Sequence, residues 1–157
     1  MADQIVVMRD GRVEQLGAPM DIYERPANIF VASFVGAPAM NLLPGRIDGE
    51  EGRPVFAAEG GGRWPLPGEV AARRGQSVVY GIRPEDLSLS SEAESTEATI
   101  SLLETTGPEL HIYAEAGGKP ICGIVRDKLD ARPGQVIRLR PRMDRIHLFD
   151  AASGGAL

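Results

Sequence analysis

Residues 99–126 read TISLLETTGPELHIYAEAGGKPICGIVR, three short alternating runs cut by glycine and proline. Thr99 to Glu104, Leu110 to Ala116 and Pro120 to Arg126 alternate apolar with polar side chains. A period of two, bounded by turn residues, is the pattern of a strand with one buried face. The same texture extends in both directions. Leu43 to Ile47, Val55 to Ala58, Arg63 to Leu66 and Ser77 to Ile82 precede it, and Gln135 to Arg140 and Arg145 to Phe149 follow. Short strands at this spacing predict a mainly β chain, a small barrel or sandwich. Residues 88–97, SLSSEAESTE, read as an acidic loop, and 151–157, AASGGAL, as a flexible tail.

The first 38 residues differ. In residues 5–16, IVVMRDGRVEQL, two β-rich runs meet at Asp10-Gly11, which suits the left-handed positions of a type I′ turn. Pro19 fits the first turn of a short helix, with Asp21 near its positive end. Pro26 stops that helix. Asn28 is a natural N-cap for a second, in which Phe30 and Phe34 share a face, and Gly36 and Pro38 end it. The expected order is β-β-α-α, with a seam between Gly36 and Asn41.

Composition bounds the function. At 157 residues the chain is long enough to bury a core without staples. Gly 19 and Pro 12 together make about a fifth of it, which favours short elements over long helices. Cys122 is the single cysteine, so no disulfide framework or cysteine zinc site is expected. The longest apolar stretch, Ile29 to Met40, is broken by Ser33, Gly36 and Pro38, and no secretory signal opens the chain. The reading is a cytoplasmic protein. Its net charge of −5 argues against a nucleic-acid partner. Within that total, residues 83–118 hold eight acids and one base, whereas 126–147 hold seven bases and three acids. These blocks form two solvated faces, or they pair with each other or with a second copy of the chain.

No catalytic constellation is present in these residues. A phosphate-binding P-loop needs a glycine-rich loop ending in Lys-Ser/Thr, but Lys119 is followed by Pro120 and Lys128 by Leu129. His111 and His147 lack metal-ligand spacing, and Cys122 inside ICGIV reads as a small buried hydrophobe. No metal and no cofactor is expected in this chain. Arg138, Arg140 and Arg142 alternate with aliphatic residues, which puts the arginines on one face of a strand. That row is either a solvated face or a site for an anion or partner.

Residues 2–17 (ADQIVVMRDGRVEQLG), Pro19 and residues 22–28 (IYERPAN) resemble the end of the nucleotide-binding domain in carbohydrate-import ABC ATPases, the maltose and glycerol-3-phosphate importer type. Residues 30–36 (FVASFVG), Pro38 and Met40-Asn41 are similar to that family's helix and linker. Residues 80–85 (YGIRPE), the Gly107 turn and 147–150 (HLFD) resemble its C-terminal regulatory region, the TOBE domain.

The resemblance implies three parts: 1–38, a remnant of the ATPase domain; 39–150, an OB-like (TOBE) regulatory β-barrel; and 151–157, the tail. It further implies a non-catalytic regulatory and dimerisation role, with ATP and magnesium bound only in the full-length subunit. The implied partners are a second copy, membrane-spanning permease subunits and a regulatory protein, at the inner face of the membrane. Gly81, Arg83, Pro84 and Glu85 carry the family match, as a structural turn or a dimer contact; Arg138 and Arg140 are the other candidates. A reading of another class is a free-standing OB-like module for a small anion or sugar, which needs Arg138 or Arg140 to converge with Trp64 or Tyr113. Cut from a larger sheet, residues 1–36 are expected to expose Ile5, Val7, Ile22, Phe30 and Phe34.

Overall fold

The computed structural model describes residues 3–157, so Met1 and Ala2 lie outside it. The chain opens with the hairpin β1 (Ile5–Arg9) and β2 (Arg12–Gly17). Asp10 and Gly11 take φ of 50° and 77°, the two left-handed positions expected of the turn. α1 (Pro19–Glu24) starts on Pro19, and α2 (Ile29–Phe34) is capped by the Asn28 carboxamide, which accepts from the Val31 amide at 2.9 Å.

Ten strands follow: β3 (Asn41–Glu50), β4 (Arg53–Ala58), β5 (Arg63–Pro65), β6 (Ser77–Ile82), β7 (Leu87–Leu89), β8 (Thr96–Thr106), β9 (Glu109–Ala116), β10 (Lys119–Val125), β11 (Val136–Pro141) and β12 (His147–Asp150). They form two antiparallel five-stranded sheets, β12-β6-β3-β4-β5 and β10-β9-β8-β11-β7. The mainly β, OB-like architecture read from the sequence is present, built as two sheets around one core. Phe56, Trp64 and Tyr80 from the first sheet and Ile112, Ile121 and Leu139 from the second belong to the same buried cluster. The turns of the two sheets also meet. A Cβ on Gly60 would lie 2.1 Å from the Gly117 carbonyl, an approach only glycine permits.

Three local expectations need correction. The predicted loop 88–97 is shorter, because β7 uses Leu87–Leu89 and β8 begins at Thr96. Both pair with β11, and hydrophilic side chains suffice on a half-solvated face. Residues 151–157 are tied down. The Leu157 amide donates to Leu148, Ala156 to Ala27, and the Ile29 amide to Gly154. The tail therefore lies between β12 and the start of α2. Finally, Val7 and Ile22 are buried, together with Val31, because the hairpin folds one face over the two helices. Ile5 and Phe30 are half-buried beside them, and Phe34 is exposed as expected. On the opposite face of the hairpin Val6, Met8, Val13 and Leu16 remain open, as does Met20 on α1.

Candidate functional site

The residues 81–85 form the joint between the helices and the sheets. β6 ends at Ile82, and Pro84 begins a 3-10 turn over Pro84–Asp86, its fixed φ suiting the first position. Gly81 faces His147 across the ladder, and a Cβ there would meet the Met40 sulfur at 2.6 Å and the Phe149 ring at 3.1 Å. Arg83 is 2% exposed. One guanidinium nitrogen donates to the Val35 carbonyl at 2.8 Å and another to the Tyr23 carbonyl at 2.9 Å. Its carbon sits 3.9 Å from the centre of the Tyr23 ring. Glu85 is exposed and accepts a hydrogen bond from the Tyr23 hydroxyl. Burial, then that bond, push the Tyr23 phenol up to about 12. Burial disfavours the Arg83 charge, while Tyr23, Glu85 and Asp86 favour it. The motif that looked like a turn in the sequence is thus a turn whose arginine reaches back to α1 and α2.

His147 borders this joint on β12, its ring stacked near Phe149 at 6.2 Å. Burial, with Arg83 and Arg145 nearby, holds the imidazole below its ordinary value of about 6.5. The unfolded chain therefore takes up the proton first. The stability His147 contributes is present above pH of about 6.5 and is lost as pH falls through that value towards the lower folded one. Thermal melts from pH 7.5 down to 5.5 should show a falling midpoint, and His147→Gln should flatten the fall. An unchanged slope in the variant would assign the acid sensitivity elsewhere.

Arg138 and Arg140 are on β11 and point away from the core, as their alternation predicted, between buried Ile137, Leu139 and Pro141. They are not free. Register sets Arg138 opposite Glu97, which it meets at 3.3 Å, and Arg138 also donates to Ser95 at 2.8 and 2.9 Å. Arg140 reaches Glu92 at 3.1 Å and Glu94 at 3.2 Å. The two charge blocks thus pair with each other within the chain at these positions. These partly exposed pairs are each worth about 0–1 kcal/mol.

A cleft of about 700 Å³ is lined by Arg63, Trp64, Ser95, Thr96 and Arg138, with Glu94, Glu97 and Glu115. Arg138 and Trp64 do share it, but the indole is 1% exposed, so its face is packed into the core. Arg140 and Tyr113 do not line this cleft. Three carboxylates beside two arginines make a poor anion site. Cys122 is buried, its thiol pushed up to about 11 by burial, which fits the hydrophobe expected there.

One structural residue carried no chemical signal in the sequence. Asn41, at the start of β3, is 8% exposed. Its carboxamide donates to Cys122 at 2.8 Å and Ile82 at 3.1 Å, and accepts from the Cys122 amide at 2.8 Å. It joins the two sheets. An asparagine before an apolar run is common, so only the fold reveals its partners.

Residues 36–87 match the MalK OB fold domain, and residues 80–149 match the TOBE domain. An ABC transporter ATP-binding protein of Sinorhizobium fredii is 43% identical over 157 residues, covering 100% of this chain and 42% of the relative. The sn-glycerol-3-phosphate import ATP-binding protein UgpC of Escherichia coli K12 is 38% identical over 98% of this chain and 43% of its own length. A second such protein, from Agrobacterium fabrum, is 37% identical over 98% of this chain and 41% of its length. The chain thus spans about two-fifths of these relatives. The cytoplasmic molybdate-binding protein ModG shares the fold at a TM-score of 0.55 and 14% identity, over 69% of this chain and 94% of that one. With its two domain matches covering residues 36–149 and these relatives covering nearly all of the rest, the chain belongs with the C-terminal part of ABC importer ATP-binding subunits, carrying their MalK-type OB and TOBE domains.

Proposed function

We propose that this chain is the non-catalytic regulatory and dimerisation region of an ABC importer ATP-binding subunit that energises uptake of a sugar or glycerol-phosphate-type solute. The UgpC relatives, sn-glycerol-3-phosphate import ATP-binding proteins, support the solute class. The observation that carries the reading is the open hairpin face. Val6 pairs with Leu16 and Met8 with Val13, and all four side chains are more than half exposed. A two-stranded ribbon with apolar residues on both faces needs a layer on each. The helices supply one, and the ATPase portion of a longer subunit would supply the other. ATP and magnesium would be held by that portion, with the permease subunits as its membrane partners. No helix among the described residues is long and apolar enough to cross a membrane, and the proposed place is peripheral, at the inner face.

Two measurements test this. An antibody to the chain should detect a native product more than twice 16.8 kDa; a band at the mass of the chain alone would remove the ATPase from the account. For dimerisation, the chain with Val6→Thr, Val13→Thr and Leu16→Gln, which blunts the hairpin, should still sediment as a dimer at high micromolar concentration. A monomer there would overturn the dimer contact.

A further inference from the structure

The glycine and proline between residues 36 and 41 make the seam look like a joint about which two parts swing. The structure carries a different inference. We propose that Arg83 is a positioning residue, a buried pin that fixes α1 and α2 to the two-sheet unit so that both move as one body.

Three observations converge on it. First, the pin crosses the seam. Arg83 follows β6, yet its guanidinium ends on the carbonyls of Tyr23, at the end of α1, and Val35, just past α2. These are helix-terminal carbonyls, the groups a helix leaves without internal partners and at its negative end. One rigid planar fork satisfies both from separate nitrogens, a geometry that the single ammonium of a lysine does not supply. Second, the fork is held from its face as well as its edges. The Tyr23 ring stacks on it and is itself held by Glu85, two residues after Arg83. The pin therefore closes a ring of contacts: β6, guanidinium, α1, phenol and the 3-10 turn. Third, the backbone makes room for it. Gly36 has φ of 106°, and a Cβ there would sit 3.0 Å from the guanidinium and 3.3 Å from the Tyr23 ring. The seam glycine serves the close approach of the arginine rather than freedom of motion.

The tail adds a second fastening, with Gly154 accepting from Ile29 and Ala156 donating to Ala27. A displacement entering at α1 would then reach both sheets without slack, and any hinge must lie before residue 19. This consequence rests on the reading of the chain as part of a larger ATPase; the pin itself does not.

Hydrogen exchange of the 157-residue chain, read by mass spectrometry, tests the pin. In Arg83→Lys the amides of Ile22, Arg25, Val31, Ala32 and Val35 should exchange about tenfold faster, with β3, β8 and β9 unchanged. Gly36→Ala, which keeps Arg83 but crowds the fork and strains the backbone at φ of 106°, should accelerate the same amides. A spectrophotometric titration supplies the second readout. In Gly36→Ala, where the Arg83 charge that lowers it is kept and only the burial that raises it is reduced, the Tyr23 phenol should ionise below about 12, nearer the ordinary tyrosine range. Unchanged helix exchange in both variants would overturn the proposal. So would acceleration spread equally through the sheets, which would make Arg83 a core residue of the β unit only. Neither result bears on the mass of the native product, so failure here leaves the proposed function standing.

Discussion

Trp64→Ala is expected to lower stability by about 3–5 kcal/mol, the cost of removing a fully enclosed indole. Trp64 is the middle residue of the three-residue edge strand β5, and it is 1% exposed. Its ring lies 5.7 Å from Tyr80, which stacks on Phe56 at 4.9 Å. The Tyr80 hydroxyl donates to the Pro65 carbonyl at 3.0 Å, so the same aromatic cluster also ties the strand down through its backbone. With so few ladder bonds, β5 depends on the indole to stay in place. For a chain of this length the midpoint of a circular-dichroism melt should fall by roughly 10 °C. Trp64→Phe, which keeps an aromatic in the cluster, should recover much of the loss. A midpoint for Trp64→Ala within about 2 °C of the parent would show that β5 is held by its backbone and not by the core.

The second large effect is expected from Asn41→Leu, a substitution of similar volume at a buried position. It strands the Cys122 amide and leaves the Cys122 carbonyl without its carboxamide donor. Each such group costs about 1–3 kcal/mol, so a loss of about 2–6 kcal/mol is expected from denaturant titration. The loss should be accompanied by faster exchange of the Cys122 amide on β10. Asn41→Asp should not rescue it, because a carboxylate accepts from the Cys122 amide but faces the Ile82 and Cys122 carbonyls. A stability change below about 0.5 kcal/mol would mean that water replaces the carboxamide between the sheets.

Much of the local structure was legible in the residues themselves. Asp10-Gly11 fixes a turn because its two φ values are costly for other residues. Asn28 caps a helix because its side chain and the Val31 amide are three residues apart. The strand runs followed from alternation, since one buried face leaves a mark in every second residue. Where alternation broke, so did legibility. A bulge near Ser101 shifts the register of β8, so Leu102 turns to solvent while Leu103 packs on the core. β7 was missed because its Ser88 and Leu89 merge without a turn residue into the polar, acidic stretch that follows, which read as one loop.

The candidate site divided along the same line. Gly81, Arg83, Pro84 and Glu85 stood out as a motif, and that motif is a real turn at a real joint. What the arginine does there depends on Tyr23 and Val35, separated from it by 60 and 48 residues. Arg138 and Arg140 were readable as a row, but their partners Glu92, Glu94 and Glu97 arrive only because β11 pairs with β8.

The sequence by itself determined the β-rich class, the hairpin, the two short helices, one started by Pro19 and one capped by Asn28, and the kinship with importer ATP-binding subunits, because each is written in residues close along the chain or in contiguous motifs. Only the tertiary structure decided that Val7 and Ile22 are covered, that Asn41 clasps the two sheets, that the tail is fastened, and that a seam rich in glycine and proline is crossed by a buried arginine. Those outcomes rest on groups distant in sequence, and burial and hydrogen-bond partners are fixed when the elements pack and not before.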